Sequence, residues 1–488
     1  MLETVTVPVW LAAIAACLAI LAVIERILLP LWRLYLGRRR ERAHERLNQT
    51  LAFQIRPFKL AGRRDLVRQL MLDPEILAAI EAEARASNRP AARVADDARR
   101  YAFEVVPAFS AYTYFTFGAS AARRLATWLY RVRLLGAGYD QIEGIDRDAT
   151  VIFVLNHRSN MDYVLATYLA ASRSALSYAV GEWARVPGLE RLIRGMGGYF
   201  VRRDSSNPLY RKVLSRYVRL ATAAGVTQAV FPEGGLSRDG GLQPPRLGII
   251  SYILAGFDPH GGRDVVFVPV GINYDRVLED RVLMAAAATR KGEKPRFAFS
   301  PWIFLRLMWR NLAGRLRGHW YRYGYAGLAF GGPISLRAWL ASRGADLRML
   351  PEPQRQVEIE RLGRHLMQGV GAVVPALPVS LAAVVIEHAG GQPLSLLEAK
   401  SNVLGLMRRL AQRGAIVHVP RNDEDYAVTF GIRMLVLREV LEERDGLLRV
   451  TGRDQGLLTF YARSIAHLLD ETPTDAAPIL DPPHAPLT

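Results

Sequence analysis

The stretch FVLNHRSNMDYVL at 153–165 places His157 five residues before Asp162, where an apolar run ends. Histidine can accept a proton near neutral pH, because its ordinary pKa is about 6.5. A carboxylate on the other ring nitrogen would fix the tautomer and stabilise the imidazolium that forms. The pair is therefore a candidate general base with its orienting partner. The alternative is that Asp162 or Asn160 only caps a helix and His157 lies in an ordinary loop.

Residues suited to binding an anion follow other short apolar runs. The stretches are GGYFVRRD at 197–204, FPEGGLSRDG at 231–240 and QPPRLG at 243–248. The candidate substrate contacts are Arg202, Arg203, Glu233, Gly234, Gly235, Ser237, Arg238 and Arg246. The arginine fork binds two phosphate oxygens at once, and glycines let backbone N–H groups approach a ligand closely. Because Glu233 is acidic, we expect it to orient an arginine or a substrate hydroxyl. Each stretch alone also fits a solvated strand end or an ordinary tight turn.

The elements that must position these residues alternate between strands and helices. The runs TVIFVLNH, GGYFVRR, TQAVFPEGG and DVVFVPVGINYD predict strands, and LAFGGPISL adds a last element of the same kind. Helical periodicity fills the segments between them. The sequence therefore predicts an α/β domain over 141–345, a mixed sheet flanked by helices, whose strand ends supply the reactive loops.

Helical regions flank this domain on both sides. Residues 37–140 have helical periodicity, and 346–470 is predicted to be mostly helical. A strand pair is expected near AIVHVP and GLLRVTG in the second of these regions. The proline-rich tail at 471–488 is predicted to be disordered.

The first 36 residues predict a single transmembrane helix. Residues 5–24 carry no charge, and this length spans the core of a bilayer. Arginines follow the apolar run, at positions 26, 33, 38, 39, 40 and 42. A cleavable signal peptide has its positive charge in front, so a retained anchor fits better. The arginine bias places the body of the chain on the cytoplasmic face of the inner (plasma) membrane.

The chain as a whole is strongly basic. Its formal charge of +18 requires an anionic partner, which is nucleic acid, a phosphorylated substrate or an acidic membrane. The single cysteine, Cys17, excludes a disulfide framework and a cysteine-based metal site. The scattered histidines show no metal-binding spacing, so we expect no metal. Residues 302–325 combine arginines and aromatics without an acid, which fits either a core helix or an element lying on anionic lipid.

The order HxxxxD, GxxFxRR, FxEGGxSR and VPV between residues 157 and 270 resembles the acyltransferases of glycerolipid synthesis. The similarity is greatest to bacterial membrane-bound glycerol-3-phosphate 1-O-acyltransferases and to dihydroxyacetone-phosphate acyltransferases. YDQIEGID, NPLYRKVLSRYVRLA, QPPRLGIIS and YARSIAHLLD extend the resemblance to about 70–470. One position departs, because Leu236 stands where the family usually has arginine.

The resemblance implies that a glycerol hydroxyl attacks an acyl thioester and that lysophosphatidate forms. Glycerol-3-phosphate would be the acceptor and acyl-CoA or acyl carrier protein the donor, with no other cofactor. His157 would be the base and Asp162 its partner. The arginines, Arg203 and Arg238 above all, would hold the phosphate.

Other functions stay open at this stage. The sn-2 lysophosphatidate acyltransferases share HxxxxD, and FPEG is common among them, but they are shorter and lack the helical flanks. A membrane-tethered nucleic-acid-binding protein would explain the positive charge. The sequence contains no helix-turn-helix signature and no aromatic RNA-binding motif, so we expect no nucleic-acid partner. It also lacks the GxSxG turn of serine hydrolases.

Overall fold

The computed structural model of the protein describes residues 51, 53–136, 138–170, 175–181, 185, 188–202, 206–288, 323–452 and 455–469. The predicted anchor at 1–36, Arg203, residues 302–322 and the tail at 471–488 lie outside these ranges. Within them, no helix is both long enough and apolar enough to cross a lipid bilayer.

About half of the described residues lie in α-helices. The α-helices are α1 Pro57–Leu60, α2 Arg63–Met71, α3 Pro74–Ser87, α4 Ala91–Val105, α5 Ala119–Leu129, α6 Gly138–Gln141, α7 Met161–Ala170, α8 Leu189–Gly195, α9 Pro208–Ala223, α10 Gly248–Leu254, α11 Asp280–Ala288, α12 Leu336–Ala341, α13 Glu352–Ala372, α14 Pro378–His388, α15 Leu396–Gln412, α16 Glu424–Leu437 and α17 Gln455–Arg463. Thr113–Gly118 forms a π-helical turn before α5. Local signals set several helix ends; for example, Asn207 accepts the N–H of Tyr210 and Pro208 takes the first position of α9.

The strands form one large sheet and one small sheet. They are β1 Arg131–Leu135, β2 Thr150–Leu155, β3 Ser177–Gly181, β4 Gly198–Val201, β5 Gln228–Val230, β6 Val265–Tyr274, β7 Tyr325–Phe330, β8 Ile334–Ser335, β9 Leu394–Ser395, β10 Leu441–Arg444 and β11 Leu447–Val450. The large sheet has the order β1-β7-β6-β2-β5-β3-β4, and β8 pairs with β6. Its pairings are parallel except those of β6 with β7 and β8, so the predicted mixed sheet is confirmed. The small sheet has the order β10-β11-β9.

The large sheet is covered on both faces, as the alternation of β2 shows. Val151, Phe153 and Leu155 belong to one core, whereas Ile152 and Val154 belong to the other. The first core contains residues of α5, α7 and α14 to α17, and the second contains residues of α2 to α4, α9, α10, α12 and α13. Successive side chains of a strand point to opposite faces, so a fully apolar strand needs a helical layer on each side. Helices α14 to α17 therefore share one hydrophobic core with the large sheet.

Two details differ from the sequence prediction. Residues 131–135 lie in the region predicted to be helical, yet they form β1, which pairs with β7. The expected strand at 415–420 makes only one isolated bridge, between Val417 and Ala376. The partner of the strand in GLLRVTG is β10 instead.

Candidate active site

The predicted reactive residues gather at the carboxyl ends of adjacent parallel strands. His157 follows β2 and Glu233 follows β5, and these strands are neighbours in register, with Val154 opposite Val230. Arg202 directly follows β4, two strands further along the same edge. In open α/β sheets this edge is where ligands bind, because the loops that leave the strands meet there.

His157 and Asp162 are in direct contact. His157 Nδ1 lies 2.8 Å from Asp162 Oδ2, and both side chains are buried. The same carboxylate accepts the backbone N–H groups of Arg158 at 2.7 Å and Ser159 at 3.0 Å. These bonds fold the loop around the start of α7, so the five-residue spacing brings the two side chains together. Asp162 organises the loop and holds the histidine at the same time.

Tyr274, the last residue of β6, completes the surroundings of Asp162. Its hydroxyl donates to Asp162 Oδ1 at 2.6 Å, so the carboxylate has a partner on each oxygen. The residue lies in the predicted strand DVVFVPVGINYD, but nothing in that sequence pattern shows that its hydroxyl faces the site.

The second nitrogen of His157 has no partner. In the neutral ring that donates from Nδ1 to Asp162, Nε2 carries the lone pair. No described residue forms a hydrogen bond with Nε2. The ring lies against Phe231, with centroids 4.4 Å apart, and the edge of Tyr163 at 5.3 Å. Aromatic walls fix the ring plane and exclude water, so Nε2 is a free and oriented base.

Glu233 is a second buried acid beside the histidine. The backbone N–H groups of His157 and Gln243 face its carboxyl and favour the charged form, and its Oε2 has no hydrogen-bond partner among the described residues. Burial raises the pKa of Glu233 to about 8, although Arg158 and the two N–H groups oppose this shift. The carboxyl is therefore largely protonated at pH 7, and it would not repel an anionic substrate.

Glu279 connects another loop to the site, and the sequence analysis did not identify it. Its Oε2 accepts the hydroxyl of Ser159 at 2.7 Å, and its Oε1 accepts the N–H of Asn160 at 3.2 Å. Burial raises the pKa of Glu279 to about 7. The residue stands just before α11, so it fixes the loop after β6 against the loop that carries His157.

The glycine–serine segment after β5 shapes the opposite side of the site. Gly234 has φ +68°, and a Cβ on it would lie 2.6 Å from Cδ of Arg246. Only glycine accommodates both the left-handed backbone and this close approach. Ser237 is buried; its N–H donates to the carbonyl of His157 at 2.9 Å and its hydroxyl to the carbonyl of Gly241 at 2.7 Å. Gly235, half-buried, lies between them, so this segment holds the His157 loop in place.

The predicted arginines differ in their surroundings. Arg202 binds both oxygens of Glu104, at 2.9 and 2.7 Å, and stands between the rings of Tyr101 and Tyr210. Its fork is therefore occupied by a carboxylate, and its role in binding phosphate stays a prediction. Arg238 and Arg246 are exposed near the Gly234 turn.

Leu236 places an apolar side chain at the position where the family usually has arginine. Its side chain is partly buried and packs against the core that contains β2 and α7. Arg238, two residues along, is the exposed cation of this segment and forms no ion pair with a described residue. The loss of an arginine at 236 is thus accompanied by apolar packing.

A pH-dependent stability is expected from the buried acids. Between about pH 4.5 and 8 the folded protein holds a proton on Glu233 that the unfolded chain has released, so the free energy of unfolding falls as pH rises. The slope per group is at most about 1.4 kcal/mol per pH unit. Glu233→Gln should reduce this fall, as measured by thermal or urea unfolding at pH 5 and pH 8.

Part of the fall in the free energy of unfolding with rising pH should remain in the Glu233→Gln protein. Burial also raises the pKa of Asp275 and Glu279 to about 7 each, and both act in the same direction. An unfolding curve whose pH dependence is identical in the variant and the wild type would contradict the assignment of a raised pKa to Glu233.

Comparison with known proteins agrees with this geometry. The Acyltransferase family model matches residues 138–273, and the model of the glycerol-3-phosphate acyltransferase C-terminal region matches residues 311–471. A glycerol-3-phosphate acyltransferase of Pseudomonas putida KT2440 is 30% identical over 434 residues, which are 84% of this chain and 49% of that protein. One of Xanthomonas axonopodis pv. citri is 26% identical over 427 residues, 84% of this chain and 46% of that protein. The chain thus spans about half the length of these curated relatives.

One solved structure shows a weaker similarity. The crystal structure of a 1-acyl-sn-glycerophosphate acyltransferase from Thermotoga maritima matches with a TM-score of 0.30 and 21% identity, over 52% of this chain and 78% of that one. A score this low supports no inference.

The mixed sheet with a buried histidine–aspartate pair at its carboxyl edge, together with the first family match, defines an acyltransferase domain. The second match adds the region that is characteristic of one group of these enzymes. Over these two regions the chain is similar to the glycerol-3-phosphate acyltransferases.

Proposed function

We propose that the chain is a membrane-bound glycerol-3-phosphate 1-O-acyltransferase. It transfers an acyl group from acyl-CoA or acyl carrier protein to glycerol-3-phosphate, and the lysophosphatidate that forms enters phospholipid biosynthesis. The observation that carries this proposal is the buried His157–Asp162 pair on the loop after β2, beside the glycine-rich loop after the neighbouring strand β5. Nε2 of His157 has no hydrogen-bond partner among the described residues. The names of the curated relatives support the choice of acceptor.

The proposed reaction is direct transfer by general base catalysis. An alcohol is a weak nucleophile at neutral pH, so Nε2 of His157 accepts the hydroxyl proton while the oxygen attacks the thioester carbonyl. Asp162 stabilises the imidazolium through Nδ1. The tetrahedral intermediate then collapses, the C–S bond breaks, and the departing thiolate recovers the proton from the imidazolium. The products are the ester and the free thiol, and no cofactor besides the co-substrate takes part.

The proposed acceptor site lies between the loops after β2 and β5. A Glu233 carboxyl that is protonated near pH 7 can hydrogen-bond the glycerol moiety without repelling its phosphate. The N–H groups of the Gly234–Gly235 turn, with Arg238 and Arg246 beside it, supply positive potential on the same side.

We also propose attachment to the cytoplasmic face of the inner membrane. The support is the uncharged run at 5–24 followed by arginines, together with the net charge of +18, which favours anionic lipid. A membrane location suits a reaction whose acyl product partitions into lipid.

The test is an assay of the purified protein in detergent with acyl-CoA and three acceptors compared directly. Glycerol-3-phosphate should give the highest kcat/KM. Preference for lysophosphatidate would replace the proposal with sn-2 acylation, and preference for dihydroxyacetone phosphate would change the acceptor. Absence of any transfer, combined with salt-sensitive binding to DNA, would favour the nucleic-acid alternative.

Arg238→Ala is expected to raise the KM for glycerol-3-phosphate by about three- to ten-fold. An exposed guanidinium that contacts phosphate contributes less than a buried one, because water and salt screen it. The phosphate is held in ground and transition states alike, so kcat should change little. Steady-state kinetics at low and high NaCl measures this effect, which should shrink as salt rises.

The matched control for Arg238→Ala is Arg408→Ala. Arg408 is likewise exposed, but it lies on α15 and pairs with Glu424. Its loss should leave both kinetic constants unchanged. An Arg238→Ala enzyme with a wild-type acceptor KM would remove Arg238 from the proposed acceptor site.

A further inference from the structure

Arg158, the residue after the proposed base, is a buried guanidinium with few partners. Its side chain is buried, with 2% of its surface exposed. Its Nη2 donates to the carbonyl of Ser464 at 2.8 Å. Its Nε and Nη1 form no hydrogen bond with any residue in the described ranges. Most of its donors are therefore unused.

No carboxylate neutralises Arg158 by direct contact within the described chain. Glu233, Asp162 and Asp239 are the acids that act on it through space. The oxygens of Asp162 are already used by His157, two backbone N–H groups and Tyr274. Asp239 pairs instead with Arg463 at 3.0 Å. Burial lowers the pKa of Arg158, although these three acids oppose the shift.

A buried charge without a partner destabilises a fold, so its presence calls for a functional reason. Two other buried atoms at this edge also lack partners, Nε2 of His157 and Oε2 of Glu233. The three residues stand on the two loops that Ser237 ties together. Glu233 prefers its neutral form, His157 is a base, and Arg158 is a cation without a paired acid. Together these three residues suit a ligand that carries both a hydroxyl and an anionic group.

The C-terminal region fixes the position of the Arg158 guanidinium through the carbonyl of Ser464. Ser464 follows α17 directly, and the free carbonyls at the end of a helix carry partial negative charge that attracts a guanidinium. The hydroxyl of Ser464 is in turn within 2.8 Å of Ser380 and 3.4 Å of Asn273. The carbonyl that receives Arg158 is thereby fixed against β6 and α14.

We propose that Arg158, held by the carbonyl of Ser464, binds the phosphate of the acceptor. The inference rests on the proposed function and deepens it. In this proposal the residue that contacts the phosphate, Arg158, belongs to the HxxxxD loop. The C-terminal region takes part in substrate recognition through the carbonyl of Ser464. Arg202, by contrast, is already neutralised by Glu104, and Arg238 is exposed at the rim.

The experiment compares the Arg158→Met variant with the unsubstituted chain, both in detergent. Methionine has a similar length and is apolar, so it removes the charge while filling the space. We expect the KM for glycerol-3-phosphate and the inhibition constant of inorganic phosphate to rise together by ten-fold or more. The KM for acyl-CoA should stay within about two-fold. The Tm without ligand should be unchanged or higher, because an unpaired buried cation is lost.

A purely structural role for Arg158 predicts a different pattern. Loss of its bond to Ser464 would then lower the Tm and reduce kcat with both substrates, without selective weakening of phosphate binding. That result, or an unchanged acceptor KM and phosphate inhibition, overturns the proposal. Arg158→Lys, which retains the charge, should recover part of the phosphate binding.

The matched control is Arg463→Met, on the same C-terminal segment. Arg463 is 54% exposed and paired with Asp239, so its loss should leave both KM values within about two-fold. A thermal shift with inorganic phosphate separates this proposal from the proposed function. Stabilisation by phosphate in the wild type that is lost in Arg158→Met supports the site, even if glycerol-3-phosphate is not acylated. Stabilisation that persists in the variant overturns it.

Discussion

Replacing His157 with alanine is expected to lower kcat with glycerol-3-phosphate by at least about 100-fold. The reason is that Nε2 is the free basic nitrogen at the sheet edge, and it accepts the hydroxyl proton mainly in the transition state. The KM for either substrate should therefore change little. Steady-state kinetics in detergent at saturating acyl-CoA measures both constants, and ester formation identifies the product.

A matched variant separates the loss of a base from the loss of a buried ring. His418 is also buried, with 6% of its surface exposed, and its ring packs 4.7 Å from that of Tyr325. His418→Ala should lower the Tm but leave the turnover of the folded enzyme near that of the wild type. A His157→Ala enzyme with normal turnover would end the general-base mechanism.

The strands that carry the site were predictable because their signals are local. The runs that became β2, β4, β5 and β6 are mostly apolar segments, which is typical of strands buried on both faces. Polar residues directly after such strands must lie at one edge of a parallel sheet. The position of His157, Asp162 and Glu233 therefore followed from the sequence.

The strands that the sequence analysis missed have weaker local signals. β1 reads RVRLL and is partly exposed at the end of the sheet, so its arginines continue the pattern of the preceding helix. β3 reads SYAVG, in which Ala and Gly weaken the strand preference of Tyr and Val. Both gain their structure from pairing with other strands: β1 pairs with β7, and β3 pairs with β4 and β5.

Which arginines have a hydrogen-bonded partner also depends on contacts between residues far apart in the sequence. Arg202 was predicted to bind phosphate, but Glu104, 98 residues earlier, occupies its fork. Arg158 stood inside the first motif and was not singled out, because its carbonyl partner lies 306 residues later. Sequence spacing identifies which side chains leave the strand ends, whereas only the packed fold shows which cations remain without an acid.

Asp162→Asn is the most direct test of whether this carboxylate supports catalysis or only shapes the loop. An asparagine oxygen in place of Oδ2 can still accept from His157 and from the N–H groups of Arg158 and Ser159. Its amide then faces the hydroxyl of Tyr274, which can turn and act as acceptor. The loop should therefore keep its geometry, and the Tm should fall only slightly. The negative charge beside the imidazolium is lost.

Because the imidazolium forms only during the reaction, Asp162→Asn should reduce kcat by at least about 100-fold and leave both KM values nearly unchanged. Tyr274→Phe provides the graded comparison, since it removes one hydrogen bond to the carboxylate and keeps the charge. Its kcat should fall by about three- to ten-fold. Kinetics and thermal unfolding of both variants decide between the two roles of Asp162. If Asp162→Asn retains the Tm and turns over within a few-fold of the wild type, the carboxylate is a loop cap and His157 acts without it.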